Sequence, residues 1–590
     1  MAARLTAYVV VGIVAATLIA GLIVGAQRDD NDGPVDIIIH NAKIYTAGPP
    51  GHDGEMAEAI AIRGNQVLRV GSDREIQRLR RPQTTMIDAK GGAVLPGFTD
   101  SHLHLIDGGL GLDRIDVSDA STIEELQAMI RGWAEAHPDA PWIVGSGWRS
   151  SMFTAGTQPT RQMLDALVPN RPAHILGDEG RAAWVNTRAL RLAGITRKTT
   201  TAAGSIVRDP RTKDATGVLR GDAMSMVSKL LPAPTQADRE RAIRAAVREA
   251  QQYGITSIQN LDSTADDLAL FAEARRAGDL PLRVYSALAI SGMMTDAQVE
   301  GLDAIAKQYP DDPLFKGGAV SIDLDGDVEG RTAAMIEPYA DSDETGSTSI
   351  DADDFNRLVR LLDARGWQVL TSASGDRAVR MTLNAYQHAV RSNSVPARGR
   401  RHRVEQVDVI DPADAPRFSA LGAVASMQPA AFDPSPDRLD LLLSAIGPAR
   451  AAMSWAYGTI SGTSGKLAFG SDWPYAPLNP MLGLHAAVTR TRSEVDALAS
   501  TDAVKQDAPI WNPAERLALK AAIDAYTSAA AWASFDEQRK GTLANGMLAD
   551  LVVLSEDVFE APPARLLSTR VTLTVIDGKI VYRRDGNSTN

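Results

Sequence analysis

The stretch Pro96-Gly97-Phe98-Thr99-Asp100-Ser101-His102-Leu103-His104-Leu105 follows an apolar run and carries two histidines one residue apart. Alternate side chains of a β-strand share a face, so His102 and His104 turn their imidazoles to one side and toward one point. That is the geometry of a metal-ligand pair. Two histidines on a solvated strand face give the same pattern, so the surrounding sequence has to decide.

Composition narrows the field. The chain has 590 residues, 44% of them hydrophobic, enough for several average domains or for one large α/β barrel with an appendage. A formal net charge of −12, with no basic stripe, argues against a nucleic-acid partner. The absence of cysteine excludes disulfides, thiolate metal sites, cysteine nucleophiles and a lipid-modified cysteine.

Residues 7–26 (AYVVVGIVAATLIAGLIVGA) form an uncharged run long enough to cross a bilayer as a helix. Arg4 precedes it and Asp29, Asp30 and Asp32 follow it, so the charge bias predicts a membrane anchor with the large domain outside the cytoplasm. A cleaved signal peptide ending at Val24-Gly25-Ala26, which would leave a secreted protein, is the competing reading.

After this segment and its linker (1–34), strand-like runs occur at 35–45, at 58–70 with a Gly64-Asn65 turn, and at 84–95. The style returns at 549–554 and at 570–582, where Asp577-Gly578 separates two apolar runs. This predicts a small β-sandwich built from both chain ends, 35–95 and 540–590. Between them, helical patterns at 122–136, 237–253, 353–365 and 377–391 alternate with short apolar runs. Those runs lie at 142–144, 173–176, 256–258, 282–288, 319–324, 368–371, 423–427 and 466–469. Repeated strand and helix units over 96–539 predict parallel strands in a (β/α)8 barrel, whose sites lie at the carboxyl ends of the strands, with His102 and His104 on the first.

Nine blocks in order then resemble the amidohydrolase superfamily, and within it amidohydrolase family 3, which includes N-substituted formamide deformylases. They are PGFTDSHLHL (96–105), PWIVGSGWRSSMF (141–153), WVNTRAL (184–190), GRTAAMIEPYAD (330–341), GDRAV (375–379), RHRVE (401–405), SMQP (426–429), FGSDWP (469–474) and NGMLADLVVL (545–554). The resemblance implies a metal site inside the barrel, with His102, His104 and Asp472 matching the His-x-His pair and the aspartate. The other family ligands are replaced. Ser321 stands at the position of the carboxylated lysine, Ser372 and Gln406 at the two single histidines, and Leu370 at a further histidine of the same segment. Trp148, Arg149, Trp184 and Asn186 fall in family blocks at strand ends and are candidate substrate contacts, with packing the competing role for the two tryptophans. In the same region Glu179-Gly180-Arg181 puts a permanent cation, Arg181, where the family has an imidazole. Asp323 shares the strand face of Ser321 and is a further candidate carboxylate. His402 lies four residues before Gln406, roughly 13 Å deeper along a strand, too far for a ligand.

By this resemblance one of two metal positions has lost every ligand and the other keeps three of four, the bridging lysine being shared by both. Two imidazoles and a carboxylate remain, a sufficient set for one divalent ion, zinc or iron. Two functions are therefore compatible with the sequence. One is a metal-dependent hydrolase acting on an amide-type C–N bond of a small molecule, with Asp472 moving the proton. The other is a pseudoenzyme, without a cofactor, that keeps the barrel for binding or scaffolding.

Overall fold

Eight parallel strands make one sheet in chain order: β1 (Phe98–Leu103), β2 (Ile255–Ser263), β3 (Arg283–Ile290), β4 (Phe315–Asp323), β5 (Gln368–Ala373), β6 (Arg403–Gln406), β7 (Val424–Met427) and β8 (Lys466–Phe469). They come from a computed structural model that describes residues 34–48, 54–118, 120–149, 152–153, 158–177, 182–201, 204–491 and 510–584. The sheet nearly closes on itself, because Leu103 at the end of β1 bridges in parallel to Trp473 just beyond β8. The strands read as apolar runs because helices cover the outer face of the sheet while side chains fill its interior. Helices Ala265–Ala277, Asp296–Ala306 and Ala352–Ala364 begin at Thr264, Thr295 and Asp351, whose side chains accept from the first-turn backbone.

Two of the apolar runs expected in the barrel, 142–144 and 173–176, lie elsewhere. Between β1 and β2 the chain builds a separate six-stranded sheet in the order Gly204–Arg208, Ala215–Gly221, Ala182–Val185, Ala173–Gly177, Ile143–Trp148, Ile115–Asp116. It buries its own apolar cluster, including Ile130, Ile143, Trp148, Ile175 and Trp184. Short buried strands of a mixed insert and of a parallel barrel have the same apolar signature, so periodicity could not separate them. The segment 96–539 thus carries this insert as well as the barrel.

The two chain ends make two further sheets. One orders Gln66–Gly71, Ala59–Arg63, Ile37–His40 and Thr85–Asp88; the other orders Lys579–Arg583, Val571–Ile576, Leu551–Leu554, Ala93–Pro96, Lys43–Tyr45 and Met56–Ala57. Ile37, Ile39, Ile60 and Ile62 of the first pack with Val94, Leu551, Val553, Leu573 and Val575 of the second. Asp577 and Gly578 take left-handed φ values of 54° and 71°, as a two-residue hairpin turn requires. No helix among the described residues is long and apolar enough to cross a membrane, and the run 7–26 lies outside them.

Within the insert, His174 is buried and neither ring nitrogen has a hydrogen-bond partner. Burial pushes its pKa down to about 4. The unfolded chain, with an ordinary imidazole, takes up the proton first, so stability is full above pH ~6.5 and falls as pH drops toward ~4. His174→Phe is therefore expected to flatten the fall in chemical-denaturation midpoint between those pH values. An unchanged slope would show that the ring is not buried neutral.

Candidate metal centre

The site is built at the seam between β1 and the segment after β8. A Cβ on Gly470 would sit 2.4 Å from the His102 backbone nitrogen, so glycine is what lets the two backbones meet. Asp100, on β1, accepts hydrogen bonds from His102 N at 3.1 Å and from Ser471 N at 3.0 Å. Its burial outweighs these bonds and pushes its pKa up to about 6. Beyond it, Asp472 N donates to His102 O at 2.7 Å and His104 N to Trp473 O at 2.9 Å. Asp472 itself adopts a left-handed φ of 62°, and Asp262 near the end of β2 and Gln406 at the end of β6 do likewise at 55° and 70°. Such backbone costs ~1–3 kcal/mol per residue and gathers where side chains must be aimed.

The aim is convergent. His102 Nε2 and His104 Nε2 each lie 3.3 Å from Asp472 Oδ1. The donor atoms of the three residues all lie within 4.8 Å of one another, the only such group of three or more among the described residues. The opposite nitrogens face other carboxylates: His102 Nδ1 is 2.9 Å from Glu405 Oε2, and His104 Nδ1 is 3.7 Å from Asp262 Oδ2. Glu405 is fully buried and is also held by Arg403 at 2.7 Å. Arg403 in turn donates to Gln259, Ser101 O and Ser426 Oγ inside the barrel. Burial favours the neutral form of Glu405, yet Arg403 and His102 together keep its pKa below the ordinary range. Burial likewise works against a charged His102, and Asp472 and Glu405 overcome it, raising the ring to about 10. Asp472 is held well below the usual carboxylate range by both histidines despite its burial.

This donor set suits a metal ion. Two imidazole nitrogens and a carboxylate are ordinary ligands of zinc or ferrous iron. With Nδ1 turned to a carboxylate in each ring, Nε2 is the atom left for an ion, the arrangement by which outer carboxylates orient metal-binding histidines.

A second ion finds no comparable partners. Ser321 Oγ donates to Asp262 Oδ1 at 2.7 Å, Leu370 is packed with Leu261, Tyr285, Ala287 and Ala319, and Gln406 accepts from Ser374 Oγ at 3.0 Å. Ser372 is half-buried on β5. Asp323 stands at the end of β4, its pKa raised by partial desolvation and then by the charges of Asp262 and Asp472.

The residues expected near substrate from the 141–153 and 184–190 blocks are placed differently, because those blocks form strands of the insert. Trp148 Nε1 donates to Ile175 O and Trp184 Nε1 to Thr160 O, both at 2.9 Å, inside the insert. Asn186 caps the helix Thr187–Leu192 and accepts from Ala173 N as well. Arg149 donates to Ala120 O at 3.3 Å. Arg181 lies outside the described residues. Two neighbours of the centre were missed: Asp262 beside His104, and Tyr475, whose exposed ring stands edge-on to His104 with centroids 5.6 Å apart. Only the strand-to-cap step Asp262-Ser263-Thr264 hinted at the first.

With this geometry in place, comparison with known proteins is decisive about kinship. Residues 85–582 match the profile described as amidohydrolase family, Amidohydro_3. The chain belongs to the amidohydrolase family. It is 28% identical to YtcJ of Bacillus subtilis (strain 168) over 93% of this chain and 99% of that protein. It is 24% identical to the N-substituted formamide deformylase of Arthrobacter pascens over 94% and 99% of the two chains. Its fold is shared with a solved structure, an uncharacterized metal-dependent hydrolase from Pyrococcus furiosus, at TM-score 0.68 and 23% identity, covering 88% of this chain and 99% of that one.

Full-length protein purified without chelator is expected to bind at most one zinc or iron per chain by elemental analysis. His102→Ala combined with His104→Ala should empty the site. Glu405→Gln should weaken binding by about 10–100-fold, the usual cost of losing a carboxylate behind a ligating histidine. Two equivalents of metal in the wild type would overturn the one-ion reading.

Proposed function

We propose that this amidohydrolase-family protein is a hydrolase of amide-type C–N bonds in small molecules, working with one divalent ion held by His102, His104 and Asp472. The observation that carries the reading is the approach of both Nε2 atoms to one oxygen of Asp472, with His102 fixed from behind by Glu405. A zinc or ferrous ion bound there supplies positive charge that acidifies an attacking water and polarises a carbonyl. Asp472 has the remaining task. Kept as the anion, it takes the proton of the attacking water on a carboxylate oxygen as the water forms its C–O bond, and returns it to the leaving amine nitrogen as the C–N bond breaks. The products are a carboxylic acid and an amine. Glu405 keeps the His102 ring in its ligating orientation throughout. The name of the Arthrobacter pascens relative supports N-substituted formamides as the first substrates to try.

A second reading, a binding protein without turnover, is favoured by one observation. Ser321, Leu370, Ser372 and Gln406 put no imidazole or lysine at these positions of β4 to β6. For either function, the uncharged run 7–26 followed by Asp29, Asp30 and Asp32 supports a membrane-anchored protein with the barrel outside the cytoplasm.

A panel of N-formyl and N-acyl amines should therefore reveal metal-dependent hydrolysis. Asp472→Asn, close in shape, should lower kcat by ~100-fold to ~10,000-fold at saturating metal, as loss of a general acid–base group does. Activity that survives both this substitution and chelation would exclude the mechanism. A folded, metal-loaded protein inert to the whole panel would establish the binding-only reading.

A further inference from the structure

Two cavities adjoin beside β1, and their walls differ in chemistry. The first, about 410 Å³, opens beside His104 of the candidate centre and is lined by polar groups that include His104, Asp107, Asn260, Asp262 and Thr264, together with Leu105, Ile106 and Leu261. The second, about 650 Å³, lies where the insert meets the barrel; Trp133, His137, Trp142, Val144 and Leu231 line it together with charged side chains that include Arg114, Asp238 and Arg241. Leu110 and Pro234 belong to both walls. The ring of His137 stacks on Trp133 with centroids 4.2 Å apart and planes 18° from parallel, and its Nδ1 is tied to Trp133 O at 2.9 Å. That tie fixes a flat aromatic wall before any ligand arrives. Trp142 is 9% exposed and presents its remaining surface there.

From these observations, and resting on the hydrolase reading above, we propose that the Trp133–Trp142 cleft is a second substrate subsite. It takes the apolar aryl or long alkyl end of an elongated amide whose C–N bond lies at His104 and Asp472. The division of labour follows from the lining: a mixed, more polar chamber next to the reacting centre and a more apolar one of ligand size beyond it, where Trp133 and Trp142 supply the flat surface and the charged side chains leave room for a polar group on the same ligand. The spacing sets the substrate's length. Helix Leu105–Leu112 starts immediately after His104, and Leu110 stands about 9 Å along it at ~1.5 Å per residue. The apolar group must therefore be separated from the amide by a chain that passes Leu110 and Pro234. Trp133 comes from the insert helix Ile123–Ala136, so the insert supplies one wall of the subsite and the barrel the other.

The test uses metal-loaded, full-length protein and a series of N-acyl amines with one common amide and phenylalkyl chains of increasing length. KM is expected to fall by roughly fourfold for each methylene that becomes buried, with kcat nearly constant. Leu110→Trp, which narrows the passage, and Trp133→Ala, which removes the half-exposed wall, should each raise KM for the long members at least tenfold and leave the shortest member unchanged. A KM independent of chain length, or variants that affect short and long members alike, would overturn the subsite. A binding measurement keeps the question separate from turnover: equilibrium dialysis of phenylbutylamine against the same three proteins. Weaker binding to both variants supports the cleft even if no amide is hydrolysed, in which case the hydrolase reading alone fails. Binding that neither variant alters, or no binding at all, sinks the cleft whatever the catalytic result.

Discussion

The seam between β1 and the segment after β8 is the constraint on which the metal centre depends. Asp100 accepts from backbone nitrogens on both sides of it, and the bare Cα of Gly470 lets the two backbones approach. Only when this seam is closed does Asp472 stand opposite His102 and His104. Its left-handed backbone is tolerated because Asp472 N donates to His102 O while Trp473 N donates to Ser471 Oγ across it, over-determining the turn. The buried pair Arg403–Glu405 is the interior counterpart. It crosses from β6 to β1, giving His102 its orientation and giving the barrel floor a fully bonded guanidinium.

Much of this was legible in the sequence, for identifiable reasons. A His-x-His on a strand reports its geometry directly, because the two-residue period leaves no freedom in which face is shared. The Asp577-Gly578 and Gly64-Asn65 pairs announce turns because few residues adopt left-handed backbone cheaply, and Gly64, Asp577 and Gly578 all do so. Glu405, the last residue of the RHRVE block, serves both His102 and Arg403, since a carboxylate has two oxygens and each found a donor.

The insert was not legible. Runs such as 142–144 and 173–176 are mostly buried, as barrel strands are, and nothing local tells which sheet a strand joins. Trp148, Trp184 and Asn186 therefore lie on the insert and not on barrel strands. Their polar atoms are spent on the insert's own backbone, which is what large amphipathic side chains do when buried far from solvent. Asp262 was missed because its contact with His104 spans β1 and β2, and its role follows from a reversed φ that sequence does not print.

The seam also has a meaning in time. Asp100 and Ser471 are 371 residues apart along the chain, and the contact that joins Leu105 N to Asn260 Oδ1 spans 155. Contacts of such separation are made late, because a long loop must be closed before they return any stability. The insert and the hairpins of the terminal sheets, built from local contacts, can organise much earlier. His102, His104 and Asp472 therefore come together only when these long-range contacts are made, so an ion that required all three would report on correctly closed barrels.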